Sequence, residues 1–347
     1  MSPGGMDMGG TTMLPPIGGL RWITSWHVQA GALVPLVVVL AAYLWGAARV
    51  GRAHPAGRWP LRHTALFTAG LAVIAVATMG SIGVYDDTLM WVHMLQHLAL
   101  IMVAPALLVS GRPIILAMHA TRNPVHTAIK RVLRSPVVGV ITSPIGAGAI
   151  YAATIVGTHL TGLAGVFMGS TSGRVGEHLL YLVAGYLYFL PIFGDEPIRH
   201  RPSHVGRLAL LLLTMPVDTF TGIALMMYTR PPGGMHMAPR DWGPSALSDA
   251  HTAGGTMWVV GDGLMLGLVL IAFILWSRDS TLRGRSGLGW LERAREQTLA
   301  SRATEGAAAG TGRSPSADSD DALAAYNAWL ARLEQAEHQP QRADKAR

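Results

Sequence analysis

Cysteine is absent from the 347 residues, which excludes disulfides, thiolate zinc sites, iron–sulfur clusters and thiol-based copper relays within this chain. Charge is scarce: Asp, Glu, Lys and Arg make up 14% of the residues, against about 25% in a soluble domain. Apolar residues reach 50% and the mean hydropathy is +0.34. Much of the surface therefore faces a bilayer. Lysine is nearly missing as well, with only Lys130 and Lys345 present and neither in an apolar run. A retinal protein, which needs an intramembrane Schiff-base lysine, is excluded. No G-x-x-x-x-G-K-[ST], G-x-S-x-G or H-E-x-x-H pattern occurs, so nothing points to an ATPase or hydrolase, and the chain reads as a non-enzyme.

What is abundant is apolar sequence in runs of about 20 residues, the length that crosses a hydrocarbon core as a helix. Seven such runs, at about 27–48, 64–83, 88–110, 137–157, 176–194, 206–227 and 256–276, predict an all-α integral membrane protein with seven transmembrane helices. Nothing before residue 26 has the basic and apolar regions of a cleaved signal. The loops after the first, third and fifth runs hold twelve Lys and Arg, against four on the opposite side. Because cytoplasmic loops retain positive charge, the N-terminus is expected outside and the C-terminus in the cytoplasm. The net charge of +7 is thereby read as a topology signal, not as a nucleic-acid surface.

Three regions follow: a Met/Gly/Pro-rich extracytoplasmic N-terminus at 1–26, a membrane domain at 27–276 and a cytoplasmic tail at 277–347. Within the tail, Ser301 to Asp320 has the small and acidic composition of a disordered linker. Beyond it, Leu323, Tyr326, Leu330 and Leu333 recur at the spacing of a short amphipathic helix. Pro124 to Arg134, with Lys130 and Arg131, predicts a second amphipathic helix set against anionic lipid headgroups.

Ionisable groups in hydrocarbon are costly and mark function by default. With this topology His27, His93, His97, His159, His178 and His251 all fall at the outer ends of their runs. In Met90-Trp91-Val92-His93-Met94-Leu95-Gln96-His97, helical spacing aligns Met90, His93, Met94 and His97 on one face. Imidazole and thioether together suit copper, whereas an all-carboxylate cage would suit Mg or Ca. The candidate metal residues are His93, His97, His178, His251 and Met94, with His159 and Asp249 around them. The alternative for the histidines is hydrogen-bonded helix packing. Met1, Met6, Met8 and Met13, and the loop Met235-His236-Met237, read as copper-collecting segments. Asp218 and Asp262, within the sixth and seventh runs, fit imidazole orientation, a proton path or a helix contact. Paired histidines on facing helices would also suit a b-type haem, and a copper permease is a further alternative.

At His93-Met94-Leu95-Gln96-His97, Ala104-Pro105 and Gly111-Arg112-Pro113 the chain resembles the multi-spanning CtaG-type cytochrome c oxidase assembly factors. The likeness continues through Thr158-His159-Leu160, Glu177-His178-Leu179, Gly194-Asp195-Glu196-Pro197 and Asp249-Ala250-His251. It implies a multi-pass plasma-membrane protein needed to make active haem–copper oxidase, with copper delivery to an oxidase subunit as the expected role. The partners expected are that subunit and membrane lipid, with no nucleic acid.

Overall fold

The computed structural model describes residues 13–53, 58–230 and 237–308. Met1, Met6, Met8, Met235, His236 and the expected helix around Leu323 lie outside them. Among the described residues every regular element is helical. The chain divides into two compact units, with the boundary between Trp276 and Ser277.

The long helices are α1 (Ala30–Ala53), α2 (Leu61–Met79), α3 (Met90–Leu98), α4 (Pro144–Leu160), α5 (Thr171–Phe193), α6 (His204–Met226) and α7 (Ala246–Ala308). Among the described residues six stretches are long and apolar enough to cross a membrane: Ala30–Ala53, Leu61–Tyr85, Met90–Ala120, Thr171–Phe193, His204–Met226 and Ala246–Arg278. The protein is thus a multi-pass membrane protein. The run expected at 137–157 is divided into Pro136–Ile141 and the 17-residue α4, broken at Thr142-Ser143. The break has a local cause. Ser143 leaves helical geometry to cap the Gly146 amide at 3.0 Å, and Pro144 starts a new helix without needing a donor. Helix α7 runs on to Ala308, into the first residues of the segment expected as a linker. Val125–Arg134 forms the expected short amphipathic helix.

The burial pattern inverts that of a soluble protein. Leu213 and Phe220 of α6 are 75% and 71% exposed, while Asp218 and Thr221 on the same helix are buried. Apolar side chains turned outward and polar ones turned inward are the arrangement a hydrocarbon solvent selects. In α5 the buried side likewise holds Glu177, Tyr181 and Tyr188.

Immediately after α3, Ala99–Val103 forms a π-helical turn, and α-helix resumes over Ala104–Ser110. Helix α5 lies against this turn at Gly185. A Cβ there would stand 2.0 Å from the Ile101 carbonyl oxygen, so only glycine permits the approach.

The histidine-bearing end of the bundle is roofed by two segments. In the first, the Met79 carbonyl accepts from the His27 amide at 2.8 Å and Tyr85 Oη donates to the Pro15 carbonyl at 2.9 Å. In the second, the Ala238 amide donates to Asp87 at 2.6 Å and Trp242 Nε1 donates to the Leu14 carbonyl at 2.6 Å. Leu14, Ile17 and Trp242 pack on a small cluster of Tyr85, Leu89 and Val92. The described part of the N-terminus is therefore tied down, while Met1, Met6 and Met8 of the expected collecting segment lie outside the described residues. Met13 itself is 54% exposed.

Candidate metal centre

The start of α3 is fixed from a distance. Asp249, on α7, accepts from the Met90 amide at 3.0 Å and the Trp91 amide at 3.3 Å, two of the donors that a helix start leaves unpaired. Arg240 donates to the same carboxylate at 3.0 Å. Both Asp249 oxygens are thus engaged in setting the position of α3.

One turn further in, the stripe expected from the spacing meets α5 and α4. His93 and His97 stack edge to face with centroids 4.0 Å apart. Glu177 Oε1 of α5 lies 3.4 Å from His97 Nε2 and 4.0 Å from His93 Nε2. Ligand atoms of His93, His97 and Glu177 all fall within 4.8 Å of one another, and all three residues are buried. Both His93 ring nitrogens, His97 Nε2 and both Glu177 oxygens are buried without a hydrogen-bond partner.

The surrounding groups fix the tautomer of His97. His159 Nδ1 lies 2.8 Å from the Ile155 carbonyl, which can only accept, so Nδ1 carries the proton and Nε2 of a neutral His159 is a lone pair. His97 Nδ1, 3.2 Å from that lone pair, must donate to it. Neutral His97 therefore presents the lone pair of Nε2 toward the Glu177 carboxylate. An ionised Glu177 would set two acceptors against each other in a dry interior, and a cation between them, a proton or a metal ion, turns that repulsion into attraction. The donor set of two imidazoles and one carboxylate fits a transition-metal ion of the copper or zinc kind. The far side of the cluster is closed by Thr158, which donates to the Thr154 carbonyl at 2.8 Å and receives Tyr181 Oη at 2.6 Å. The Tyr181 ring covers His97 with centroids 4.1 Å apart.

The remaining candidates are distributed differently. His178 Nε2 lies 3.1 Å from Gln96 Oε1, while Gln96 Nε2 donates to the Ala77 carbonyl at 2.8 Å. This places His178 beside the cluster through Gln96. His251 is engaged with the Tyr228 carbonyl at 2.8 Å, and Met94 is packed in the apolar core. His27 is exposed. Asp218 accepts from Tyr151 at 3.1 Å and Asp262 from Thr219 at 2.7 Å, both on the inner stretches of their helices. Glu177, Tyr181, Thr158 and Gln96 are not among the sequence-based candidates. Glu177 carries the same signal as the histidines, an ionisable group within an apolar run.

At the arginine-bearing end, the Gly-Arg-Pro and Gly-Asp-Glu-Pro motifs meet. Arg112, held at φ 54°, pairs with Asp195, and Arg201 approaches the other Asp195 oxygen at 3.8 Å. Glu196 beside them is 1% exposed, and neither carboxylate oxygen has a hydrogen-bond partner.

Fold and cluster together define a polytopic helical membrane protein that encloses a histidine–carboxylate group near one end of its bundle. The model of the family described as cytochrome c oxidase caa3 assembly factor (Caa3_CtaG) matches residues 41–279. The chain belongs to that family. It is also similar to uncharacterized proteins of Mycobacterium bovis and Mycobacterium tuberculosis, each 28% identical over 90% of this chain and 45% of the relative. An uncharacterized protein of Mycobacterium leprae is 23% identical over 75% of this chain and 40% of its own length. The chain thus spans less than half the length of these relatives. No solved structure matches it.

Proposed function

We propose that this protein is a cytochrome c oxidase assembly factor that holds copper at His93, His97 and Glu177 and passes it to an oxidase subunit. Copper is cargo here, bound and released by ligand exchange. The observation that carries this reading is the orientation of His97: its Nε2 lone pair faces the Glu177 carboxylate 3.4 Å away. His159 holds the His97 tautomer, Tyr181 excludes water from the ring, and Asp249 fixes the height of α3. His93 supplies the third donor from the preceding turn.

The family assignment supports the oxidase as the destination. We place α4 in the membrane as a seventh crossing, because it joins two other membrane helices: His159, near its end, meets His97 of α3, and Tyr151, at its middle, meets Asp218 of α6. Seven crossings, with the distribution of Lys and Arg, support a topology with the N-terminus outside, the tail in the cytoplasm and the cluster near the outer leaflet of the plasma membrane. The haem alternative is disfavoured by how its candidate axial histidines are engaged. A haem would need His93 or His97 to face His178 or His251, but His93 and Tyr181 cover the His97 ring, His178 is engaged with Gln96 and His251 with the Tyr228 carbonyl.

Metal analysis of the purified full chain beside Glu177→Gln and His93→Ala tests the site. Copper in the wild type and its loss in both variants is the expected result; wild-type protein carrying haem, or variants that retain full copper, would overturn it. The role is tested by oxidase activity in cells whose own copy is replaced by Glu177→Gln.

A further inference from the structure

Above the cluster, beneath the roof of the bundle, lies a cavity of about 650 Å³ lined by Met90, Met237, Arg240, Asp241, Trp242 and Asp249 among others. Two methionines line it from different elements. Met90 heads the stripe that continues through His93 and His97, one helical turn or about 5 Å above His93. Met237 comes from the roofing loop and is half-buried against the core. The adjacent Ala238 amide anchors that loop to the Asp87 carbonyl, which holds Met237 at the cavity wall. The charged lining is Arg240, Asp241 and Asp249; Arg240 is matched by Asp249 at 3.0 Å, and Asp241 leaves the lining with an excess negative charge.

We propose that this cavity is a soft-cation port, in which Met90 and Met237 bind Cu(I) transiently between the outside and the His93–His97–Glu177 cluster. Thioethers select the monovalent soft ion, and net negative charge raises its local concentration without admitting anions. Met90 then shares a helical face with His93, so the ion advances along one stripe by exchanging a sulfur for a nitrogen, with no change in oxidation state. The proposal rests on the copper reading of the cluster for its direction of transfer, but the port itself is a separate binding site.

The test uses Ag(I), a redox-stable soft monovalent ion, in equilibrium dialysis with the full chain in detergent. The background is His93→Ala/His97→Ala/Glu177→Gln, which removes the lower site, compared with the same chain also carrying Met90→Leu/Met237→Leu. Leucine is close to methionine in volume, so the fold tolerates the exchange. Loss of one equivalent of Ag(I) on adding the methionine substitutions is expected. Unchanged Ag(I) binding would overturn the port. A second measurement follows loading of the otherwise native chain from a Cu(I) donor: Met90→Leu/Met237→Leu should fill several-fold more slowly, and an unchanged rate would also overturn the proposal. If the native chain carries no copper yet Ag(I) binding depends on Met90 and Met237, the cluster reading fails and the port stands.

Discussion

Glu177 and His97 face each other at 3.4 Å, carboxylate oxygen to imidazole lone pair, with neither atom hydrogen-bonded. The relationship depends on a third residue, since His159 compels His97 to donate through Nδ1. Replacing an outer partner of this kind lowers metal affinity about 10–100-fold. His159→Ala should therefore weaken copper binding by that amount without abolishing it, read by competition with a chelator. His251→Ala, whose imidazole is engaged with the Tyr228 carbonyl, should leave affinity unchanged.

Two carboxyls outside the spans make stability depend on pH. Burial, reinforced by neighbouring Asp87, pushes Asp86 up to about 7. Burial likewise pushes Glu196 up to about 7, with neighbouring Asp195 adding to the shift. Unfolded, these groups titrate near about 3.9 and 4.3. The folded state holds protons that the unfolded chain has released, so the stability they supply is full below about pH 4 and is lost as pH rises through about 7. Thermal unfolding in one detergent between about pH 5 and 8 should show a falling midpoint. Asp86→Asn and Glu196→Gln should each flatten the fall; a slope unchanged in both variants would contradict it.

The approach of α5 to the π turn leaves no room for a methyl group. Gly185→Ala places a Cβ 2.0 Å from the Ile101 oxygen and 2.8 Å from Pro105. Overpacking of this kind costs about 1–3 kcal/mol, occasionally more. The expected outcome is a lower unfolding temperature together with weakened copper binding, because α5 carries Glu177. Full stability in this variant would show that the helices separate easily at that point.

Arg112 and Asp195 join two motifs 83 positions apart in the chain. Their side chains remain 32% and 40% exposed, and solvent-screened pairs of this kind contribute about 0.2–1 kcal/mol. A double-mutant cycle with Arg112→Ala and Asp195→Ala should give a coupling in that range. A coupling several times larger would mean that the pair is shielded by something bound at this end.

The membrane helices were legible because length and hydropathy suffice for them. The fourth run differed because Ser143-Pro144, a helix start embedded in an apolar stretch, cut it in two. The stripe of His93 and His97 was legible because helical spacing within one element is a local property. Glu177 was equally visible, being the one acidic residue of Thr171–Phe193. Its meeting with His97, and that of Tyr181 with Thr158, depend on how α3, α4 and α5 are rotated about their axes, which no single run encodes. His251 shows the opposite limit: residues at the same end of a bundle need not share a site. The roof was not legible, because the partners that anchor Leu14 and Pro15, Trp242 and Tyr85, lie far from them in the chain.

The π turn at Ala99–Val103 acts as a phase shifter. Each residue advances a helix by about 100°, and the wider turn accommodates one residue that a regular helix of the same rise would not. The stripe of His93 and His97 is consequently out of register with Pro105 and the segment beyond it, although both belong to one crossing. Deleting Leu100 would restore a uniform phase, and the histidines could face Glu177 only if the Pro105 half turned away from Gly185. Such a deletion should leave a protein that inserts in membranes but binds no copper; retained copper would show that the two halves rotate independently. A single crossing thereby addresses two different neighbours, one along its histidine-bearing half and one along its packing half.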